Sequence, residues 1–284
     1  MTGTAKSFNM ARYNSRRIRN RVVLGLAVGA TGFGLVILAA ILLDLLWEGG
    51  SAWNVTLFTH TMPTGLWNAI VGSVLITVVG ALLGTPVGIF AGTYLAEYSR
   101  GGRFAQIVQF INDVLLSAPS IIIGLFVAQM MVVQSRHFSG WAGSVALAII
   151  VVPIVVRTTV DMLALVPNGL REAAAALGAP KWKVITLVCY RAAAQGMLTG
   201  IMLAVARIAG ETAPLLFTAF GDDHLTWNMN GPISALPLAI NNFVNDGTPD
   251  AIRLAWGGAL LITVVILTLN ITARYLSNLG SVKQ

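Results

Sequence analysis

Apolar residues along the chain gather into six long runs, at 22–46, 67–95, 105–133, 142–156, 184–220 and 254–273, with shorter polar segments between them. A helix needs roughly 20 apolar residues to cross a hydrocarbon core of about 30 Å, so the runs predict six crossings. The first run is longer than the apolar core of a signal peptide, and no convincing cleavage site follows it, which predicts an uncleaved first helix. The fifth exceeds what a crossing requires and predicts a tilted or broken helix reaching beyond the bilayer. In the third, Pro119 predicts a kink. In the second, Gly80, Gly84, Gly88 and Gly92 recur every fourth residue and form a ridge without side chains. Such a ridge lets another helix approach closely, in the core of the bundle rather than at a subunit seam.

The polar segments set the orientation. Lys6, Arg12, Arg16, Arg17, Arg19 and Arg21 precede the first run without an acidic residue, as expected of a cytoplasmic tail. The segment 48–66 has no Lys or Arg, 97–103 has Arg100 and Arg103, and 134–141 has Arg136. Between 157 and 183 lie Arg157, Arg171, Lys181 and Lys183, whereas 221–253 holds only Arg253 beside Asp222, Asp223, Asp246 and Asp250. This alternation predicts both termini in the cytoplasm. It divides the chain into a basic tail (1–21), a first helix (22–46), a transmembrane domain (67–273) with a cytoplasmic loop (161–183) and an external loop (221–253), and a second cytoplasmic tail (274–284).

Composition closes off other classes. The 284 residues are 56% hydrophobic and 10% charged, with a mean hydropathy of +0.78, where a soluble domain would be about a quarter charged. The net charge of +7 reports orientation, not a nucleic-acid partner. A single cysteine, Cys189, excludes an internal disulfide or a cysteine metal cluster; with His60, His137 and His224 scattered, no metal or cofactor site is expected.

Two connections are long enough to carry function. In the external loop an apolar piece at 233–243 is too short to span and predicts an interfacial or re-entrant helix. The cytoplasmic stretch 166–183 reads VPNGLREAAAALGAPKWK. Asn168 is suited to cap a helix rich in strong helix formers, Gly178 to the left-handed position after it, and Pro180 to the first turn of a second helix. The expectation is helix, sharp turn, helix.

Glu172, Ala173, Ala174 and Gly178 match the EAA-x-x-x-G start of the loop that marks permeases of type I ABC importers, and the loop lies before the penultimate run, as in that family. The family's usual I-x-L-P ending is absent, its places taken by Val188, Tyr190 and Arg191. Longer stretches, YLAEY at 94–98, FINDVLLSAPSIIIGLF at 110–126, HFSGWAG at 137–143, VPIVVRTT at 152–159 and ARIAGETAPLLFT at 206–218, resemble its phosphate-specific branch, the PstA-type permeases. The resemblance implies an all-α polytopic permease in the bacterial inner membrane, without a catalytic centre. Its implied partners are a related second permease subunit, a pair of ATP-binding cassette subunits docked on the 161–183 loop, an external phosphate-binding protein, and membrane lipid. ATP would be used by the partner, since the chain has no G-x-x-x-x-G-K-[ST] phosphate loop.

Few ionisable residues lie within the runs. Arg207 and Glu211 are four residues apart in the fifth, where one helical face would present both. Charges at bilayer depth normally face protein or a water-filled path, and a guanidinium offers forked donors that match phosphate oxygens. Arg207 is therefore the candidate pathway contact and Glu211 the group that holds or releases it; a buried ion pair locking two helices is the structural alternative. Asp113 and Arg157, at similar depth on oppositely directed helices, predict a buried structural pair. Asn112, Ser117 and Ser120 are candidate path-lining groups. A permease for another oxyanion (molybdate, sulfate, phosphonate) remains open, and an ion-coupled carrier or intramembrane hydrolase is disfavoured because neither paired acidic ion sites with an inverted repeat nor a nucleophile with its base is evident.

Overall fold

The computed structural model describes residues 10–99 and 101–281; Lys6, Arg100 and residues 282–284 of the C-terminal tail lie outside them. Every regular element among the described residues is a helix. The chain divides into two units, one up to Glu48 and one from Gly49 onward.

Helix α1 (Met10–Ala52) begins within the expected basic tail, because 10–21 contains neither Pro nor Gly to stop a helix and Arg is a good helix former. Its last residues belong to the second unit, where Trp53 just beyond it donates its indole N–H to the Gly257 carbonyl at 3.2 Å. Next comes α2 (Val55–Thr59), capped by Asn54, whose side chain accepts the Leu57 N–H. Helix α3 (Trp67–Thr93) passes through Pro86 and ends in a π-helical turn, Tyr94–Tyr98.

The third run is broken rather than kinked. Helices α4 (Arg103–Ser117) and α5 (Ser120–Val127) meet at 105°. The residue before a proline is pushed out of the helical region and the proline lacks an N–H, so neither Ala118 nor Pro119 continues the helix. A π-helical turn, Ala128–Val132, leads into the short α6 (Val133–Ser135). Among the described residues five helices are long and apolar enough to cross a membrane, or six if this bent pair is one span.

Helix α7 (Gly140–Ala164), capped by Ser139, is the centre of the second unit. The glycine ridge of α3 lies on it. A Cβ at Gly84 would come within 2.7 Å of the Ala148 carbonyl, and at Gly88 and Gly92 within 2.6 and 2.7 Å of the Val155 and Thr159 Cβ atoms. The ridge is thus core packing over three helical turns, and Ile76, Leu147, Val151 and Val155 fill the seam around it.

After the 161–183 loop, with α8 (Asn168–Ala176) and α9 (Lys181–Lys183), a π-helical turn Val184–Cys189 feeds α10 (Tyr190–Ile208). Helix α10 also packs on α7, towards its Ala164 end, with Gly200 against Thr158 and Gly196 against Met162. The long fifth run is indeed interrupted: α10 stops at Ile208 and α11 (Ala213–Thr218) starts after the Gly210–Thr212 break.

The 221–253 loop is built, not loose. Its apolar piece is α12 (Leu236–Asp246), closed by Gly247 in the left-handed conformation and followed by α13 (Pro249–Ser281). Leu238 and Ala239 are fully buried, and Leu236, Ala239 and Phe243 pack with Leu57, Leu66 and Ala255 in a satellite core. Gly140 and Trp141 at the start of α7 donate to the carbonyls of Gly231 and Met229 at 3.0 and 3.1 Å, and the buried Asn68 donates to the Asp222 carbonyl at 2.7 Å. The Gly140 end of α7 is therefore stitched to the 221–253 loop, and its Ala164 end leads into the 161–183 loop.

Candidate docking loop and mid-span charge site

The 161–183 loop has the helix-turn-helix shape expected from its residues, with one change at its start. Pro167, extended at ψ 139°, caps α8, and Asn168 is the first helical residue. The turn at the other end is a Schellman motif. Gly178 at φ +79° donates to the Ala175 carbonyl at 2.9 Å, and Ala179 donates to Ala174 at 3.3 Å, which satisfies two of the helix's last carbonyls. Val184 and Lys183 then close onto the Pro180 carbonyl, so Pro180 stands just before the second helix.

One side of this loop rests on a small core of Leu163, Val166, Val184, Cys189, Ala193 and Met197, which Ala174 and Ala179 touch. The opposite side is bare. Glu172, Ala173 and Gly178 are exposed, and Leu177 is 90% exposed at the tip of the turn, with Leu170 and Trp182 exposed nearby. Leu170, Leu177 and Trp182 leave large apolar side chains in the open around one turn, and an exposed apolar patch is a feature of interaction surfaces.

Arg171 does not share that exposed face. It turns inward and pairs with Glu97 of the π turn after α3, Nη2 to Oε1 at 2.6 Å, with its Nε donating to both carboxylate oxygens at 3.2 and 3.3 Å. The pair is largely buried, the side chains being 22% and 7% exposed. Nη2 also donates to the Leu163 carbonyl at 2.7 Å, and Nη1 to the Val166 carbonyl and the Asn168 Oδ1. Hydrogen bonding to Glu97 raises the guanidinium pKa above its ordinary value against the opposing effect of burial, so the cation is permanent. Sequence reading missed Glu97, which lies 74 residues from its partner; a carboxylate standing between the second run and the basic pair Arg100 and Arg103 was the signal available.

Lys181 and Lys183 sit over the rings of Tyr98 and Trp182, 4.6 and 5.5 Å from their centroids, a favourable place for a cation at an aromatic face.

Arg207 occupies the last turn of α10, where the helix dipole favours a cation. Glu211 is not on the same helical face, as the spacing predicted, because Gly210 and the following Thr212–Pro214 segment end α10 before it. Its carboxylate nevertheless reaches back to 3.9 Å from Arg207 Nε, an ion pair too long for a hydrogen bond. Glu211 is 16% exposed and Arg207 is 58% exposed. The break is pinned from the far side by Gly124 of α5, where a Cβ would lie 2.5 Å from Pro214 Cα.

The guanidinium borders a crevice lined by Leu116, Ser120, Ile150, Pro153 and Ile154. Residues 150–154 are the middle of α7, so this cation stands at mid-span. Of the other proposed path-lining groups, Ser117 donates to its own helix at the Val114 carbonyl, while Asn112 is buried beside a second crevice.

That second crevice contains Asp113 and Arg157 together with Gln109 and Ser99. The expected buried pair between them is not made. Arg157 Nε bonds Asp161 one turn along α7 at 3.0 Å, both side chains about half exposed, and Asp113 is exposed. Asp113 and Arg157 do share a depth, but a partner on the same helix costs no tertiary alignment and takes the arginine first.

Comparison with known proteins places this arrangement. Residues 84–279 match the family of binding-protein-dependent transport system inner membrane components. The chain is 54% identical over 268 residues to the phosphate transport system permease protein PstA of Haemophilus influenzae, covering 93% of this chain and 95% of that protein. It is 49% identical to the PstA of Yersinia pestis, over 91% and 90% of the two chains. Among solved structures, the fold resembles an inward-facing MetNI methionine ABC transporter (TM-score 0.63, 18% identity, 75% of this chain and 94% of that one). It also resembles a bacterial alginate ABC transporter in complex with alginate pentasaccharide-bound periplasmic protein (TM-score 0.67, 13% identity, 93% and 96% of the chains). With its five or six helical spans, its rigid exposed loop and these matches over nearly its whole length, the chain belongs to the inner-membrane components of binding-protein-dependent transport systems, as a multi-pass transport subunit of the PstA type.

Proposed function

We propose that this chain is the permease subunit of an ATP-driven importer that moves inorganic phosphate across the inner membrane. The observation that carries the reading is the cytoplasmic loop, a turn locked by Gly178 that holds Leu177 almost wholly in the open between α8 and α9. Such a surface fits a groove on a partner, and the sequence contains no phosphate loop with which to bind ATP itself. In this reading Glu172, Ala173, Ala174 and Gly178 form the docking element for a pair of ATP-binding cassette subunits. A related permease completes the membrane path and an external binding protein delivers the anion, with both termini of this chain in the cytoplasm beside the basic loops.

Phosphate as cargo is supported by the names of the relatives and by Arg207. Its fork is half free at mid-span, with only a long contact to Glu211, and a guanidinium matches phosphate oxygens in pairs. ATP-driven closure of the cassette subunits would shift the docking loop and, through α7, the crevice around Arg207. Glu211 would hold the arginine when the anion is absent.

The test is co-purification of the chain with candidate cassette subunits, followed by uptake and ATPase measurements in liposomes with phosphate, sulfate or molybdate presented on their binding proteins. The expected result is ATP-dependent uptake of phosphate alone. Absence of a bound cassette subunit, or equal uptake of all three oxyanions, would overturn the proposal.

A further inference from the structure

The exposed loop explains where a partner docks but not how its motion enters the membrane. The apolar support beneath the loop is small, with Ala174 of α8 and Ala179 of the turn after it packed against the core below. Side chains of that size give little grip on a sliding helix. The strong attachment is polar and is concentrated in one residue. Arg171 reaches from α8 to the carboxylate of Glu97 at the inner end of α3 and to the Leu163 and Val166 carbonyls at the inner end of α7. Its fork thus ties three chain segments at one point, in a largely buried setting where ion pairs are little screened.

What lies beyond that point is stiff. From Gly80 to Gly92, α3 and α7 are in backbone-to-backbone contact, with no room for even one added methyl at Gly84, Gly88 or Gly92. A push on the inner ends of both helices is therefore carried by the pair as a body. Residues Ile150, Pro153 and Ile154 of α7, which line the crevice beside Arg207, belong to that body.

Resting on the reading as an importer permease, we propose that Glu97 and Arg171 are positioning residues that form the mechanical joint between the docking loop and the α3–α7 pair. Neither side chain meets the transported anion. Their part is to make the loop and the inner ends of α3 and α7 move together, so that closure of the cassette subunits is converted into movement at the mid-span crevice. When the joint is cut, the loop still docks through its exposed face and the cassette subunits still cycle, but the spans follow poorly.

The experiment measures phosphate taken up per ATP hydrolysed, in liposomes holding the assembled complex, for the wild type, Glu97→Gln and Arg171→Lys. Gln keeps the shape and removes the charge; Lys keeps the charge and loses the fork. The expected result is assembly and basal ATP hydrolysis near wild type, with the uptake-to-hydrolysis ratio lowered about tenfold, within the span of couplings between distant sites. A purely structural role would lower uptake and hydrolysis in proportion and leave the ratio unchanged, which would overturn the joint. A second arm places Glu97→Cys and Arg171→Cys in a Cys189→Ala background and joins them with a short thiol crosslinker. Recovery of the ratio on crosslinking supports the proposal, and no recovery overturns it. Wild-type complex that takes up no phosphate in the same vesicles overturns the importer reading itself, whereas wild-type uptake with an unchanged ratio in the variants overturns only the joint.

Discussion

Arg171 with Glu97 and Arg207 with Glu211 are the same two residue types in opposite circumstances. Beside the 161–183 loop the arginine is 22% exposed, 2.6 Å from its carboxylate, and bonded to two backbone carbonyls besides. At mid-span it is 58% exposed and 3.9 Å from its carboxylate. The first has its fork filled by the fold. The second keeps donors free at a place where a free charge is costly unless a water-filled path or another molecule meets it. Burial and partner number, not residue identity, separate an arginine that holds the structure from one available to an anion.

The widest separation between the two is expected in stability. Arg171→Ala leaves the Glu97 carboxylate buried without its cation and should destabilise the chain by about 3–5 kcal/mol, whereas Arg207→Ala gives up only a 3.9 Å contact to Glu211 and should cost less; thermal unfolding in detergent compares them, and equal losses would break the contrast. Transport should reverse the order. Arg207→Lys keeps the charge but not the fork, and loss of charged hydrogen bonds worth about 1.5–3 kcal/mol predicts roughly 10- to 100-fold slower phosphate uptake by a complex that assembles normally. Uptake at the wild-type rate would return Arg207 to a structural role.

Between these lies the packing that joins the two regions. Gly88→Leu adds a side chain whose first carbon alone would fall 2.6 Å from Val155 Cβ, and overpacking of this kind costs about 1–3 kcal/mol. The same unfolding measurement on Gly210→Ala, with its nearest neighbour at 3.5 Å, should show almost none of that loss. Gly178→Ala forces an L side chain to φ +79° at about 1–2 kcal/mol, confined to the loop, and should appear as weaker retention of cassette subunits in co-purification. The smallest effect is expected for Asp161→Asn, since a half-exposed pair one turn apart contributes about 0.3–0.5 kcal/mol. A larger shift would show that Arg157 depends on more than its own helix.

Features encoded by neighbours in the chain are legible without any tertiary information. The glycine ridge announces a close helix contact, the Gly178 turn announces a reversal, and Gly210 with Pro214 explains why the fifth run breaks. Features that need two distant segments are not. Nothing local marks Glu97 as the partner of Arg171, and the π turn that carries Glu97 re-aims it by inserting a residue into the helix. Asp113 and Arg157 show the converse error, a correct depth without the contact. Pro119 signals a disturbance, but the 105° angle between α4 and α5 follows from what each half packs against.

Alone, then, the residue order determined that this is a helical membrane chain and where its helices turn or stop, because hydropathy and backbone preference act over a few residues at a time. Only the folded arrangement decided which arginine is engaged and which is free. That depends on the distances between segments 74 residues apart and on how much of each side chain the packed helices leave uncovered.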